Sequence, residues 1–472
     1  MTRTGLREKG RIDMTAGPLF PSIIKFILPL IATNLLQQVY HAADIMVVGL
    51  SPEADAVGAV GATGSFLALM RNLFLGFSVG ANVVVARCIG AKNKEKTACA
   101  VHTAVFMSLL LGILGAIVGI LLTRPVLVGM GYTGTLLELG SRYAYIYLAC
   151  LPFLSVTNFL AAILQAQGNP RVSLYTLSAT GVLNIGLNLF FVLGLGWSVE
   201  GVATATAIAN LVSACVLWGY LARRGGECRI RFRDLRLHRD SALEITRVGF
   251  PSAIQHSLFS ISNLLIQSSI LEVNNALTPP GSAYAPIVKG NTAAGSIESF
   301  IFEALAAVTV TASSFTAQNV GAGNAPRVRR AFGYICLISS VLAILFSALA
   351  TLFCEPLLAL YGVSRGEDLL STLTVESALT RIRWKWPGFF IYSVMNAGAG
   401  TIRGLGRSSL AAVITFFGTC VFRIVWIFTA YAYFQNLESI HISYPLSWLL
   451  TGVCFLVFLP RLIKEIKPKT QE

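Results

Sequence analysis

Long apolar stretches separated by short polar loops dominate the hydrophobic pattern of this 472-residue chain. Each stretch is long enough for the ~20 residues that a helix needs to cross hydrocarbon. The ~10-residue alternating segments of a membrane β-barrel are not visible. The pattern therefore predicts an all-α integral membrane protein with twelve transmembrane helices, at 20–48, 56–84, 98–122, 140–163, 170–194, 200–221, 243–272, 289–316, 329–353, 377–400, 408–433 and 441–463.

A short sequence motif that occurs twice predicts an internal repeat. Residues 86–93 and 317–324 each leave an apolar span and enter a basic loop, 231 residues apart. Pro29 and Pro251, in the first span of each half, are 222 residues apart, and offsets that rise along the chain are typical of a duplication with insertions. The increase of the offset from 222 to 231 places an insertion between Pro251 and residue 317, and we expect it as an enlarged loop near 274–289. Since each half has an even number of spans, we expect two parallel six-helix repeats that form N- and C-lobes around a central cleft.

The repeat divides the chain into an N-lobe (1–221), a basic cytoplasmic linker (222–241) and a C-lobe (242–472). Most of the 36 Lys and Arg residues fall in the loops on one side of the predicted spans. By the positive-inside rule both termini are cytoplasmic. We expect a multi-pass protein of the cell (plasma or bacterial inner) membrane.

Composition agrees with the membrane class and excludes several functions. The chain is 55% hydrophobic and only 12% charged, whereas soluble domains are roughly a quarter charged. Its net charge of +14 lies in loops beside spans, which indicates anionic membrane lipids as partners and not nucleic acid. The nine cysteines lack metal-ligand spacing, and no phosphate-binding loop occurs. We expect no cofactor, no ATP hydrolysis and no enzyme activity.

Asp44 is the main acidic candidate within the first-half spans, where an ionisable group is costly unless it faces a cavity or a partner. Gln37, Tyr40, His41 and Asp44 recur at spacings of three and four and so share one helical face. One interpretation makes Asp44 a carboxylate linked to a transported cation. The other makes it a helix-end cap or a static hydrogen-bond acceptor. His41 is either a packing residue or a group that handles protons.

Two asparagines on the predicted fifth span offer amide oxygens on one face. Asn184 and Asn188 stand one turn apart, and carboxylate and amide oxygens are ligands that hard cations prefer. Hydrogen bonding between helices explains the pair equally well. The sixth span begins with the small residues 201–207, which favour close helix packing.

The chain resembles the multidrug and toxic compound extrusion (MATE) transporters. Leu-Gln-Ala-Gln-Gly-Asn-Pro at 164–170 is similar to the family's turn after the fourth span, and 201–206 to the start of its sixth. Three further motifs are similar to the family: residues 44–49, the Gly-Ala loops at Gly90 and Gly321, and Arg-Gly-Leu-Gly at 403–406. The likeness therefore covers nearly the whole chain.

The resemblance implies a twelve-helix antiporter that exports amphipathic, often cationic organic compounds while H⁺ or Na⁺ runs inward. In that family the cation-coupling positions fall on Asp44, Asn184, Asn188 and Thr206, and the only metal expected is Na⁺ at the first three. Asn188 is an amide where relatives often have aspartate. Phe259 stands where some relatives have a glutamate, so a second-lobe cation site of that type is not expected.

The second half holds other polar candidates. Glu298 and Glu303 lie five residues apart and so about 140° out of phase on the eighth span, and Glu298 resembles a polar position of some relatives. We expect a basic and aromatic group, Arg381, Arg383, Trp384, Lys385 and Trp386, to form an outer interfacial belt. Our candidate substrate or cavity residues are Gln37, Tyr40, His41, Arg71, Phe259, Glu298 and Glu303.

Two alternatives stay open. A lipid-linked oligosaccharide or lipid flippase of the same superfamily would need a strongly cationic cavity, for which the sequence offers Arg71, Arg423 and the Arg381 group. A membrane-embedded lipid-modifying enzyme would need clustered His, Asp or Glu, and five scattered histidines argue against it. For the antiporter we expect small organic, cation-like substrates and a monomer.

Overall fold

The computed structural model describes residues 11–51, 53, 55–279, 282 and 284–468. The chain forms an all-helical membrane protein. The helices are α1 Leu19–Val48, α2 Ala56–Gly90, α3 Lys94–Gly129, α4 Gly134–Ala149, α5 Leu151–Ala166, α6 Pro170–Gly194, α7 Val199–Arg224, α8 Arg239–Leu277, α9 Pro286–Gly321, α10 Ala325–Leu352, α11 Cys354–Ala359, α12 Leu369–Lys385, α13 Phe389–Gly404, α14 Ser408–Phe434 and α15 Leu437–Lys464.

Each of the twelve predicted stretches is occupied by helix, with a break at Cys150 inside the fourth. Within the described residues, nine helices are long and apolar enough to cross a membrane. The count becomes ten when α4 and α5, which meet at an angle of 47°, are taken as one broken span. The other two predicted stretches are occupied by α8 and by α12 with α13. The full count of twelve spans stays a prediction.

The expected enlarged loop is instead mainly an extended helix. α8 has 39 residues, whereas its counterpart α1 has 30. Residues 274–277, assigned to the loop, are the last turn of α8. The prediction of a loop insertion near 274–289 was wrong because the additional residues prolong α8 to Leu277 and α9 begins at Pro286.

The chain divides into two compact units. The first comprises the chain up to Ile254 together with Ala317–Asn324, and the second comprises Gln255–Thr316 and Ala325–Lys467. The core of the first unit lies between α2, α3 and α5, where Val84, Val101 and Phe159 are buried.

The basic segment after α7 is packed onto the first unit. Cys228 and Ile230 are buried. The backbone N–H of Arg231 donates to Nε2 of His102 at 3.1 Å, and the N–H of His238 donates to Oγ1 of Thr103 at the same distance. These bonds fix the middle and the C-terminal end of the segment to α3.

Candidate functional site

A series of hydrogen bonds joins α1, α6 and α7 in the first unit. Asp44 Oδ1 accepts a bond from Asn188 Nδ2 at 2.6 Å. Asn188 Nδ2 also lies 3.4 Å from Asn184 Oδ1, and Asn184 Nδ2 donates to Thr206 Oγ1 at 3.4 Å. The structure thus brings together the four side chains that the sequence picked out for cation coupling.

Burial differs along this series. Asn188 is 0% exposed and Asn184 6%, whereas Asp44 is half-buried. Oδ1 of Asn188 accepts no hydrogen bond from the described residues, although buried amide oxygens normally have a partner. An unpartnered amide oxygen beside a carboxylate is a donor set suited to a hard cation, and a carboxylate alone can take a proton.

The local fold of α6 explains why the two amides face α1. Asn184 and Asn188 stand one helical turn apart, and the helix widens into a π-type turn at Phe190–Gly194 immediately afterwards. Such turns are common at functional sites because they shift the register of the following residues.

Tyr40 is the second contact of α1 with α6. It is half-buried, its ring lies against Gly181, and its hydroxyl donates to the carbonyl of Ser178 at 3.4 Å. Gln37 and His41 are exposed on α1 and do not join this contact. The expected shared face therefore divides into a packed row, Tyr40 and Asp44, and an exposed row.

The remaining first-half candidate, Arg71, is half-buried on α2. Its Nε has no hydrogen-bond partner within the described residues, and it does not join the Asp44 series. The side chain of Phe259, in the second unit, lies outside the described part of the structure.

In the second unit, Glu298 is 1% exposed and lies between two cations of α12. Arg381 donates from Nε to Glu298 Oε2 at 2.9 Å and from Nη2 to Oε1 at 3.2 Å, and Lys385 Nζ pairs with Oε1. Glu303 is half-buried and takes no part in these ion pairs.

These pairs correct the expectation of an outer interfacial belt. Arg381 and Lys385 are 8% and 1% exposed, and Trp386 is buried with them, whereas Arg383 is exposed. The belt assignment failed for Arg381, Lys385 and Trp386 because a spacing of four places the two cations on one face of α12, where both pair with Glu298.

The sequence did not reveal two further residues of this group, on α15. The ring of Tyr444 has Lys385 Nζ 3.5 Å and Arg423 Cζ 4.1 Å from its centroid. One turn earlier lies His441, which is 1% exposed. We call Glu298, Arg381, Lys385, Arg423, His441 and Tyr444 the Tyr444 cluster. The signal that could have found it is the i, i+3, i+7 spacing of His441, Tyr444 and Trp448.

Comparisons with known proteins agree with this architecture. The MatE family model matches residues 29–190 and 287–429. The chain is 25% identical over 405 residues to the probable multidrug resistance protein YoeA of Bacillus subtilis, covering 84% of this chain and 83% of that protein. It is 24% identical over 258 residues to the multidrug export protein MepA of Staphylococcus aureus, covering 55% of this chain and 57% of MepA.

Solved structures share the fold. The outward-facing conformation of a multidrug resistance MATE family transporter of the MOP superfamily superposes with a TM-score of 0.86 at 22% identity, covering 98% of this chain and 99% of that one. A crystal structure of MATE in the straight conformation gives a TM-score of 0.86 at 22% identity, with 97% and 99% coverage.

Proposed function

The chain belongs to the MATE family of multidrug efflux transporters, and from that premise we propose that it is a secondary antiporter. It exports amphipathic, cationic organic compounds by alternating access in exchange for H⁺ or Na⁺. The relatives of this chain that carry names of multidrug resistance or multidrug export proteins support this substrate class. The observation that carries the coupling proposal is the hydrogen-bonded series from Asp44 to Thr206.

In this mechanism Asp44 is the carboxylate that takes the coupling ion. The Asn188 amide donates to it at 2.6 Å. A proton or Na⁺ on Asp44 competes with that donor and weakens the link between α1 and α6. α1 contains Pro29, which has no N–H to donate to the carbonyl of Lys25, and Thr33 Oγ1 donates to the Pro29 carbonyl at 2.7 Å. We propose that α1 bends there when Asp44 is loaded.

The coupling energy is modest for one ion. A charge that moves down the membrane potential supplies ~2.3 kcal/mol per 100 mV. One unit of pH adds ~1.4 kcal/mol for a proton. The series contains one carboxylate, that of Asp44, which fits one ion per cycle.

We assign the protein to the cell membrane as a monomer with both termini in the cytoplasm. The parts that the sequence suggested, 1–221, 222–241 and 242–472, serve as N-lobe, cytoplasmic linker and C-lobe. The basic linker then lies beside anionic lipid headgroups, which attract Lys and Arg at a membrane surface.

Efflux from proteoliposomes tests the proposal. The intact protein is reconstituted, and export of a fluorescent cationic dye is followed under an imposed pH gradient and then under a Na⁺ gradient. We expect one gradient to drive export and Asp44→Asn to abolish it. The control is Glu138→Gln, which removes a carboxylate from an exposed ion pair with Arg124. Undiminished gradient-driven export by Asp44→Asn, or no export by the folded wild type under either gradient, refutes the proposal.

A further inference from the structure

The segment between α7 and α8 has an inner and an outer side. Cys228 and Ile230 are buried, and Leu235 packs against the core of the first unit. The outer side carries cations and apolar side chains together, all of them exposed. We call it the linker surface, which consists of Arg229, Arg231, Phe232, Arg233, Arg236 and Leu237.

Hydrogen bonds to the backbone hold the linker surface in one arrangement. In addition to the bonds that His102 and Thr103 accept from the segment, Thr103 Oγ1 donates to the carbonyl of Arg236 at 3.4 Å. Arg229 Nε donates to the carbonyl of Ala222 at 2.8 Å. The exposed side chains therefore project from a fixed scaffold, and a ligand that binds them does not have to order the backbone first.

The linker surface lies where the lipid-facing part of the helices begins. On α3 the exposed large apolar side chains start at Phe106, three residues after Thr103, which binds the segment. On α7 they end at Val216, eight residues before the helix ends at Arg224. In a membrane protein such a boundary marks the level of the lipid headgroups.

An aromatic contact fixes Phe232 at this level. Its ring lies 4.7 Å from the ring of Trp218, in the second-last turn of α7. Tryptophan near the end of a membrane helix is typical of the boundary between headgroups and acyl chains. Phe232 is still 74% exposed in this contact, and Leu237 is 51% exposed. Both side chains therefore offer apolar area to the upper part of a lipid acyl chain.

The cations of the segment call for an anion. Residues 223–239 include seven arginines and no lysine, against two acids, Glu227 and Asp234. Within the part of the chain that the structure describes, none of these arginines forms an ion pair with an acid. A guanidinium binds two oxygens of a phosphate through parallel hydrogen bonds, which an ammonium group does not. Exposed guanidinium groups beside exposed apolar side chains complement a phosphate that is attached to a lipid.

We propose that the linker surface is a binding site for an anionic phospholipid. Arg231 and Arg233, on either side of Phe232, bind the phosphate of the headgroup, and Phe232 and Leu237 contact the acyl chains. This site differs from the general attraction between basic loops and a membrane, because it needs the docked backbone as well as the charge. The inference rests on the proposed function only for the position of the segment at a membrane surface.

Quenching of Trp218 fluorescence by brominated lipids tests the proposal. The full chain is placed in phosphatidylcholine nanodiscs that contain an increasing fraction of brominated phosphatidylglycerol or, in parallel, of brominated phosphatidylcholine. Subtracting the signal of Trp218→Phe isolates the fluorescence of Trp218. We expect half-maximal quenching at an about fivefold lower fraction of the anionic lipid, the effect of one arginine at an anionic surface.

A double variant removes the phosphate contacts. Arg231→Gln with Arg233→Gln should abolish the preference for the anionic lipid, while the backbone N–H of residue 231 still donates to His102. The matched control is Arg329→Gln with Arg330→Gln, which removes the same charge from two exposed positions in the first turns of α10. It should leave the preference unchanged.

His102→Ala separates a built site from attraction by net charge. It removes the acceptor of the Arg231 N–H and leaves every arginine in place. A site that depends on the docked segment should lose at least half of the preference. Attraction by net charge alone would be unaffected by this substitution.

Three results overturn the inference: equal quenching by the two lipids in wild type, a preference that survives in the Arg231 and Arg233 double variant, or a preference that His102→Ala leaves unchanged. Suppression of the preference by millimolar inorganic phosphate would also overturn it, because the surface would then favour a soluble anion. Quenching needs neither an ion gradient nor a transported dye. A protein that exports dye but shows equal quenching keeps the proposed function and loses the lipid site.

Discussion

Gly90 and Gly321 each lie against the backbone of the other's helix. A Cβ on Gly90 would collide with the carbonyl oxygen of Gln318, and one on Gly321 with the carbonyl oxygen of Arg87. The ends of α2 and α9 therefore meet within the first unit with no space for a side chain on either glycine. Both glycines belong to the duplicated motif, residues 86–93 and 317–324, that predicted the internal repeat.

Gly321→Ala should destabilise the protein by about 2 kcal/mol, because the added methyl group meets backbone that cannot move aside. Thermal unfolding in detergent measures the loss. Gly333→Ala, on α10, is the control: nothing lies within 4 Å of its Cβ position, so the substitution should be neutral or slightly stabilising. Equal stability of the two variants would contradict the close contact.

The packing of Tyr40 on Gly181 makes a second prediction. A methyl group at Gly181 would overlap the Tyr40 ring, so Gly181→Ala should cost about 1–2 kcal/mol. In a Tyr40→Ala background the same change should cost almost nothing, since the overlapping ring is gone. Gly186→Ala, on the same helix with nothing within 4 Å, controls for helix propensity. Additive effects of the two substitutions in thermal unfolding would show that the residues do not interact.

Maleimides should label Cys228 slowly, and the labelling rate should depend steeply on pH. Burial raises the pKa of its thiol to about 12, and only the thiolate reacts with maleimides. With the other cysteines replaced, the labelling rate at pH 8 should be about a thousandfold below that of a free thiol and should rise about tenfold per pH unit up to pH 11. His102→Ala, which removes the acceptor for Arg231, should speed labelling. Fast, pH-independent labelling of the parent would mean that the segment is not docked.

Arg381 should matter to stability far more than an exposed arginine with the same kind of partner. Arg381→Met leaves the buried Glu298 with one of its two cations and should cost about 3 kcal/mol. Arg407→Met breaks an exposed pair with Glu465 at 3.0 Å and should cost less than about 1 kcal/mol. Glu298→Met added to Arg381→Met should deepen the loss, because it leaves the buried Lys385 without its carboxylate. Equal unfolding temperatures for the two single variants would be inconsistent with the buried pair.

The sequence pointed to the Asp44 series through local spacing and a family resemblance together. Asp44 is an acid within an apolar span, and Asn184 and Asn188 are one turn apart, so spacing assigns them to helix faces. The resemblance to a family then indicated which faces meet. The contact of Tyr40 with Gly181 was not predictable, because it depends on how α1 and α6 pack.

The Tyr444 cluster was misjudged because its partners are far apart in sequence. Arg381 and Lys385 among tryptophans have the composition of a membrane-interface belt. Glu298 lies 83 residues before Arg381, and no local pattern joins them. The signal available was physical: an acid in the eighth span needs a cation, and the basic residues of α12 were candidates.

The ion pair between α12 and α9 also has a consequence for how the chain enters the membrane. The last turns of α12 carry Arg381, Arg383 and Lys385, and a charge within a membrane span raises the free energy of insertion, by up to ~2.5–3.5 kcal/mol at the helix centre. Alone, this helix is a poor substrate for the insertion machinery. Glycosylation mapping of truncated chains should find α12 inserted when α9 is present with Glu298, and left outside when Glu298 is replaced by leucine. During synthesis α9 therefore enters the membrane before its partner helix exists. The carboxylate of Glu298 stays unpaired until α12 has been made, about eighty residues later.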